Sequence, residues 1–270
     1  MKIADILGGT HKRKKRRGSR IKRIRGRSLF KEGGNIFPDT ISFDHKMIPG
    51  IMKSINSVLA KANAQAIPIG SGATPTPGKV SGDLDMVVDQ DQLAQHFDQT
   101  DPKVIRKKLR QLFDLAGLET GQSGVSVHVK VPMDDHAHQV DIMVVPNAER
   151  ASKFHTHNIP QGSKFKGVNK MIALAWLAKQ KNMLFSPYQG LFSRNEAGKK
   201  DKFITQDIDE VARMLLGPNA SGKDLGSVES IMAALGKEAG DAMLADLRSD
   251  SNWKELDYES SSIFSRMGMR

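Results

Sequence analysis

Three patterns in the 270 residues predict an α+β fold. Apolar residues recur at intervals of three and four between Pro49 and Asn63 (Ile51, Met52, Ile55, Val58, Leu59, Ala62), the period of an amphipathic helix. Two later stretches, Val125 to Val131 and Gln139 to Val145, alternate at two, the period of a strand. Between that helix and these strands, Asp101-Pro102 offers an N-cap and a first-turn proline to a second helix reaching about Ala116.

Composition narrows the classes. With 39% hydrophobic residues the chain can bury a core, and no apolar run approaches the roughly 20 residues needed to span a bilayer. The N-terminus has no apolar signal core, so a soluble protein is expected. The absence of cysteine excludes disulfide staples and thiolate chemistry and suits a reducing compartment. The net charge of +11 is concentrated. Lys12, Arg13, Lys14, Lys15, Arg16, Arg17, Arg20, Lys22, Arg23, Arg25 and Arg27 equal the whole excess, and no acid lies among them. Such a block repels itself, is expected to be disordered when free, and binds polyanions by releasing their counterions. A nucleic-acid tether, a nuclear or nucleolar address and a merely solvated tail all have this composition.

In chain order, residues 1 to 10 read as a short helical turn. Residues 28 to 45 read as linker, broken at Gly33-Gly34 and Pro38, with Phe30, Ile36, Phe37 and Phe43 available to pin it down. The helix at 49–63 then delivers the chain into Ile69–Asp89, IGSGATPTPGKVSGDLDMVVD, the most informative stretch. Gly70 and Gly72 lack a Cβ and let backbone approach a ligand, while the Ser71 hydroxyl suits a phosphate oxygen. At the other end Asp83 and Asp85 share one face of a strand, with Leu84, Met86 and Val88 on the other. Two carboxylates side by side repel each other, and a hard divalent cation relieves that repulsion. A phosphate cradle beside a cation platform suggests phosphoryl or nucleotidyl transfer.

Gln90 to Phe97 reads as a brief helix. The helix from Pro102 buries Val104, Ile105, Leu109, Leu112 and Phe113 and turns Lys103, Arg106, Lys107, Lys108 and Arg110 outward, either toward a phosphate backbone or simply to water. Gly117 to Gly124 reads as a turn and Pro132 to His138 as a loop. In the strand after it, Val140, Ile142 and Val144 share one face and Asp141 lies on the other with Met143 and Val145. An acid among branched apolar residues is costly to bury alone. A cation shared with Asp83 and Asp85 offsets the cost, and so would a neighbouring lysine.

Residues 147 to 163 read as loop, and the pairs His136/His138 and His155/His157 as surface histidines instead of zinc ligands. A helix follows from Lys170 to Lys181 around Trp176. Met183 to Phe192 reads as one strand, Asn195 to Lys202 as a polar turn and Phe203–Thr205 as its partner, with Thr205 capping a helix to Gly217. Gly217 to Asp224 imitates a phosphate-binding P-loop and is rejected, because Asp224 stands where Ser or Thr is needed and the run follows a helix. Residues 227 to 248 give one more helical pattern, and the end from Ser249 is polar.

Gly70-Ser71, eleven residues, then Asp83-Leu84-Asp85-Met86 resembles the signature of the polymerase-beta-like nucleotidyltransferase superfamily. Ser81-Gly82-Asp83-Leu84-Asp85, and Val140-Asp141-Ile142 followed by Val145-Pro146, resemble its family X DNA polymerases most. Gly162-Ser163, Asn169 and the strand, turn, strand, helix order after them resemble the C-terminal thumb of that family. The likeness covers roughly residues 50 to 225. It implies an α+β nucleotidyltransferase palm with a mixed sheet and flanking helices, followed by a small α+β thumb. The chain then divides into tail and linker (1–45), palm (46–150), thumb (151–225) and a helical extension (226–270). The resemblance further implies two Mg2+ ions, or Mn2+, held by Asp83, Asp85 and Asp141, with Asp141 on the nucleophile side. The nucleoside triphosphate would meet Gly70, Ser71, Lys79, Gly162, Ser163 and Asn169.

The resulting expectation is a small DNA polymerase that adds nucleotides to a 3′-hydroxyl in gap filling or repair, on DNA ahead of RNA, without a membrane partner. Its place would be the cytoplasm or a virus or phage, or the nucleus in a eukaryotic host. Three departures bear on this. The arginine that relatives carry in the turn before the aspartates is absent, leaving Lys79. Gln139 stands where an arginine precedes the third aspartate. The segment before Gly70 is too short for lyase and fingers domains, as in the reduced viral members. Untemplated transfer to RNA, a small molecule or a protein, and a non-catalytic nucleic-acid binder, remain open alternatives.

Overall fold

The structure is a computed structural model that describes residues 36 to 255 apart from 77, 157, 161 and 250–252. The basic run from Lys12 to Arg27 and the turn read at residues 1 to 10 lie outside the described residues. Where the sequence reads as linker, Phe37 and Phe43 are buried, and β1 (Phe43–Asp44) begins the regular structure. Ile36 remains on the surface. Next come α1 (Ile48–Leu59), β2 (Ala66–Pro68), β3 (Val80–Ser81), β4 (Asp83–Asp89), α2 (Gln90–Phe97) and α3 (Pro102–Leu115). Asp101 caps α3 by accepting from the Lys103 N–H at 2.8 Å, with Pro102 in its first turn.

The turn expected at 117–124 is instead an edge strand, β5 (Glu119–Ser123), paired antiparallel with β6 (Ser126–Met133). A tight reversal at Asp134 leads into β7 (His136–Val145) where a loop was expected. The sheet order is β2-β4-β7-β6-β5, and the β4–β7 pair is parallel while the others are antiparallel, so the sheet is mixed. The parallel register sets Asp85 beside Asp141 and Asp83 beside Gln139. One face of the sheet buries Leu84, Met86, Val88, Val140, Ile142 and Val144 under α1 and α3. The other face carries the acids, and beside them Val87, Met143 and Val145 pack with Ile69 under α4 (Ala148–His155). That helix replaces an expected loop. Ala148, Ala151 and Phe154 are its buried stripe, and Asn147 caps it.

A second core follows, sharing no residue with the first. It is built from α5 (Gly167–Gln180), α6 (Ile208–Leu216), α7 (Val228–Leu235), α8 (Lys237–Arg248) and an antiparallel sheet of β8 (Met183–Ser186), β9 (Gly190–Arg194) and β10 (Lys200–Thr205). Met183 to Phe192 is therefore a hairpin, not one strand. Its turn closes at Gly190, whose φ of 89° favours glycine and whose absent Cβ would collide with the Thr205 carbonyl. Asp207, not Thr205, caps α6, and the long pattern at 227–248 is two helices that break at Gly236. No helix among the described residues is long and apolar enough to cross a membrane.

Candidate active site

Strand alternation and parallel pairing together assemble the site. Asp83 and Asp85 are two residues apart on β4, so both project from one face. Asp141 is level with Asp85 on the neighbouring strand, about 4.8 Å away in the ladder direction. Asp85 remains open to water on one side, but protein surrounds it on the others. Its carboxyl is pushed up to about 7, first by that desolvation and then by repulsion from Asp83 and Asp141. Asp83 is raised for the same two reasons, desolvation first and Asp141 second. No side-chain hydrogen bond reaches Asp85 among the described residues.

Asp141 is held differently. The Nδ1–H of His128, directly opposite it on β6, donates to Oδ1 at 2.7 Å, and Gln139 Nε2 donates to the same oxygen at 2.9 Å. Ser123 Oγ meets the other ring nitrogen of His128 at 2.7 Å. Gln139 and His128 thus fix the orientation of the Asp141 carboxylate. His128 was overlooked as one polar member of an alternating strand. The signal was there, since its alternation with four valines places it on the polar face.

The three carboxylates form a row of hard oxygen donors, the ligand type that Mg2+ or Mn2+ takes. Among the described residues no three His, Asp or Glu side chains are gathered closely enough to chelate an ion. The donors fit such a cation by their chemistry, and the repulsion that Asp85 feels from Asp83 and Asp141 is what a cation would relieve.

At the Gly70 turn lies a cleft of about 700 Å3, lined on one side by Gly70, Ser71, Thr74, Thr76 and Lys79 and on the other by Ile159, Pro160, Ser163, Phe165, Lys166 and Gly167. None of these lining residues is acidic, and two are lysines. The backbone N–H of Ile69 donates to the Asp85 carbonyl at 2.9 Å, which ties the Gly70 turn to the carboxylate strand. Gly70 has a φ of 58°, a conformation glycine tolerates best. Gly72 serves packing instead of ligand approach, because a Cβ there would collide with Leu84 Cδ1.

Gly70, Ser71, Lys79 and Ser163 therefore meet around one cleft, and Gly162 adjoins it in sequence. Asn169 does not reach it. That side chain is fully buried, accepting from the Lys166 N–H at 2.8 Å and donating to the Lys254 carbonyl at 3.1 Å. Lys166, Thr74 and Thr76 were not anticipated. Neither was Tyr188, in the β8–β9 turn, whose hydroxyl is pushed up to about 12 by burial and then by the fields of Asp85 and Asp141. Its ring stacks on His155, 4.9 Å between centroids. His136 is exposed, His138 is buried and His155 half-buried, and His157 lies outside the described residues.

No family model matches the sequence, and no curated protein sequence matches it. Among solved structures the chain is similar to polymerase beta of Leishmania infantum, in a structure described as a ternary P/T complex. The identity is 15% and the TM-score 0.44, over 68% of this chain and 76% of that one.

Proposed function

We propose that the chain is a metal-dependent nucleotidyltransferase, and specifically a small family X-like DNA polymerase that extends a 3′-hydroxyl with a nucleoside triphosphate. The parallel register that sets Asp85 beside Asp141, with Asp83 on the same face and an acid-free cleft at the Gly70 turn, carries this reading. The motif spacing, Gly70-Ser71 to Asp83-Leu84-Asp85 and then Asp141, supports it independently.

In this mechanism Asp83, Asp85 and Asp141 would hold two divalent cations. When bound, these would supply Lewis-acid polarisation of the hydroxyl and charge neutralisation at the departing pyrophosphate. The protein's own groups do the rest. Lys79, Lys166 and the Ser71 hydroxyl bind and orient the triphosphate in the cleft. His128 and Gln139 fix Oδ1 of Asp141, which presents Oδ2 to take the hydroxyl proton as the 3′-oxygen bonds to the α-phosphorus and the bond to pyrophosphate breaks. The run from Lys12 to Arg27 is proposed as a tether to the nucleic-acid backbone. Deleting residues 1 to 27 then weakens DNA binding and flattens its salt dependence.

The test is incorporation of labelled nucleotides, with magnesium or manganese, on one-nucleotide-gapped DNA, primer–template DNA and single-stranded RNA, comparing the native protein with Asp141→Ala. Template-matched addition on the gap that Asp141→Ala abolishes is the expected outcome. Untemplated addition would reassign the protein to the tailing enzymes, and no addition anywhere would reject the polymerase reading.

A further inference from the structure

His45 takes no part in the mechanism above, yet it is 1% exposed and both its ring nitrogens are engaged. It enters the fold beside the cleft. Phe43 and Asp44 of β1 pair with Ser81 and Val80 of β3, and the His45 N–H donates to the Lys79 carbonyl at 2.9 Å. Its Nδ1 accepts from the backbone N–H of Thr76 at 3.1 Å, and its Nε2 lies 2.8 Å from Ser81 Oγ. Ser81 Oγ lies in turn 3.2 Å from Ser71 Oγ, which opens on the cleft.

One contact fixes the direction of the first bond in this chain. A backbone amide can only donate, so Nδ1 must be the bare nitrogen and a neutral ring carries its proton on Nε2. The ring is biased to neutrality by burial and by the nearby Lys79, against the smaller opposing pull of Asp44. Nε2–H then donates to Ser81 Oγ, which leaves the Ser81 proton available to Ser71, the direction assigned here. Ser71 Oγ, accepting from Ser81, has its proton left over for the cleft. Bonds aligned in this sense polarise one another.

The geometry points to His45 and Ser81 as positioning residues that make the Ser71 hydroxyl a committed donor to a phosphate oxygen in the cleft. The inference rests on the nucleotidyltransferase reading for its ligand and on the hydrogen bonds for its mechanism. It also gives a role to a segment that the sequence alone presents as linker. The device discriminates by chemistry. A hydroxyl whose proton is directed into the cleft favours an anion over a cation there.

A binding cycle tests this, with inorganic tripolyphosphate and magnesium as the probe in calorimetric titration. Ser71→Ala is expected to weaken binding about tenfold, the size of one hydrogen bond to a charged group. Ser81→Ala is expected to weaken it about fivefold, and the double variant should bind as Ser71→Ala does, because the relay acts only through Ser71. His45→Gln, which retains a donor toward Ser81, should bind more tightly than His45→Phe. Nitrogen-15 spectra of the histidine ring should place its proton on Nε2. If His45→Phe fails to fold, the serine cycle and the spectra still decide. Additive serine effects, or a proton on Nδ1, overturn the relay while leaving the nucleotide reading intact. A wild-type protein that binds no tripolyphosphate overturns the nucleotide reading and the ligand assigned here, whatever the tautomer.

Discussion

The sheet face and the helical second core both displace the titration of ionisable groups, and they treat them oppositely. On the sheet, Asp83 is raised by desolvation and then by the charge of Asp141, and Asp85 by desolvation and then by the charges of Asp83 and Asp141. In the second core Lys170 is 2% exposed and its ammonium is lowered to about 8 by burial, yet it donates to the Phe154 carbonyl at 2.6 Å and the Thr156 carbonyl at 2.8 Å. Those carbonyls lie at the C-terminal end of α4, where a cation also meets the helix dipole favourably. A displaced titration therefore does not by itself locate a functional site. The informative difference is whether the protein supplies the partner. Lys170 is satisfied from within, and Asp85 is left for something that arrives.

The most direct way to break this contrast is to remove each charge in turn. Asp85→Asn should lower nucleotide incorporation by about 1,000-fold or more, several kcal/mol of transition-state stabilisation. It should leave the metal-free melting temperature unchanged or higher, because it removes repulsion and no hydrogen bond. Magnesium should raise the melting temperature of the native protein and not of this variant. Lys170→Met should do the reverse. Two carbonyls lose their partner, so stability should fall by about 2–4 kcal/mol in urea unfolding, with incorporation per folded molecule retained. If Lys170→Met abolished catalysis without loss of stability, the contrast would be wrong.

Smaller effects refine it. His128→Ala frees Asp141 to rotate and should cost about 10- to 100-fold in incorporation or metal affinity, the usual size for a residue behind a ligand. Its effect on urea unfolding should be minor by comparison. The smallest expected effect is a pH slope from His155, whose ring is lowered to about 4 by burial and then by Lys170. Because the folded state disfavours its proton, the stability it contributes is complete above about 6.5 and is lost as pH falls toward about 4. His155→Phe, which keeps an aromatic ring against Tyr188, should remove this rise of the urea midpoint with pH and leave the opposite slope that the raised Asp85 imposes across the same window. A rise with pH that survives the substitution would place its origin elsewhere.

Strong periodicity was legible and weak periodicity was not. β4 and β7 were readable because a valine-rich alternation leaves their aspartates conspicuous on the polar face, and α3 because Asp101-Pro102 marks its start. β5, with the sequence Glu-Thr-Gly-Gln-Ser, has no apolar period, and backbone pairing with β6 makes it a strand. α4 is only eight residues long, too short for its three-residue stripe to stand out. The break at Gly236 was hidden because apolar spacing continues through it. Of the site, the acids and the Gly70 turn were visible as motifs. His45 and Tyr188 were not, since each matters through partners brought to it by the fold, and for His128 only its place on the polar face was legible, not its bond to Asp141.

The parallel register between β4 and β7 has a consequence for how such a protein can fail. A slip of one residue would turn Val140, Ile142 and Val144 out of the core in the same movement that took Asp141 out of the row. The chemistry is therefore protected from misfolding by the fold itself, since no misregistered chain keeps a good interior. It has no such protection from point substitution. Asparagine at 83 or 85 would leave every apolar contact in place, so under the proposed function a lineage could lose the reaction in one step and still inherit an intact and stable protein.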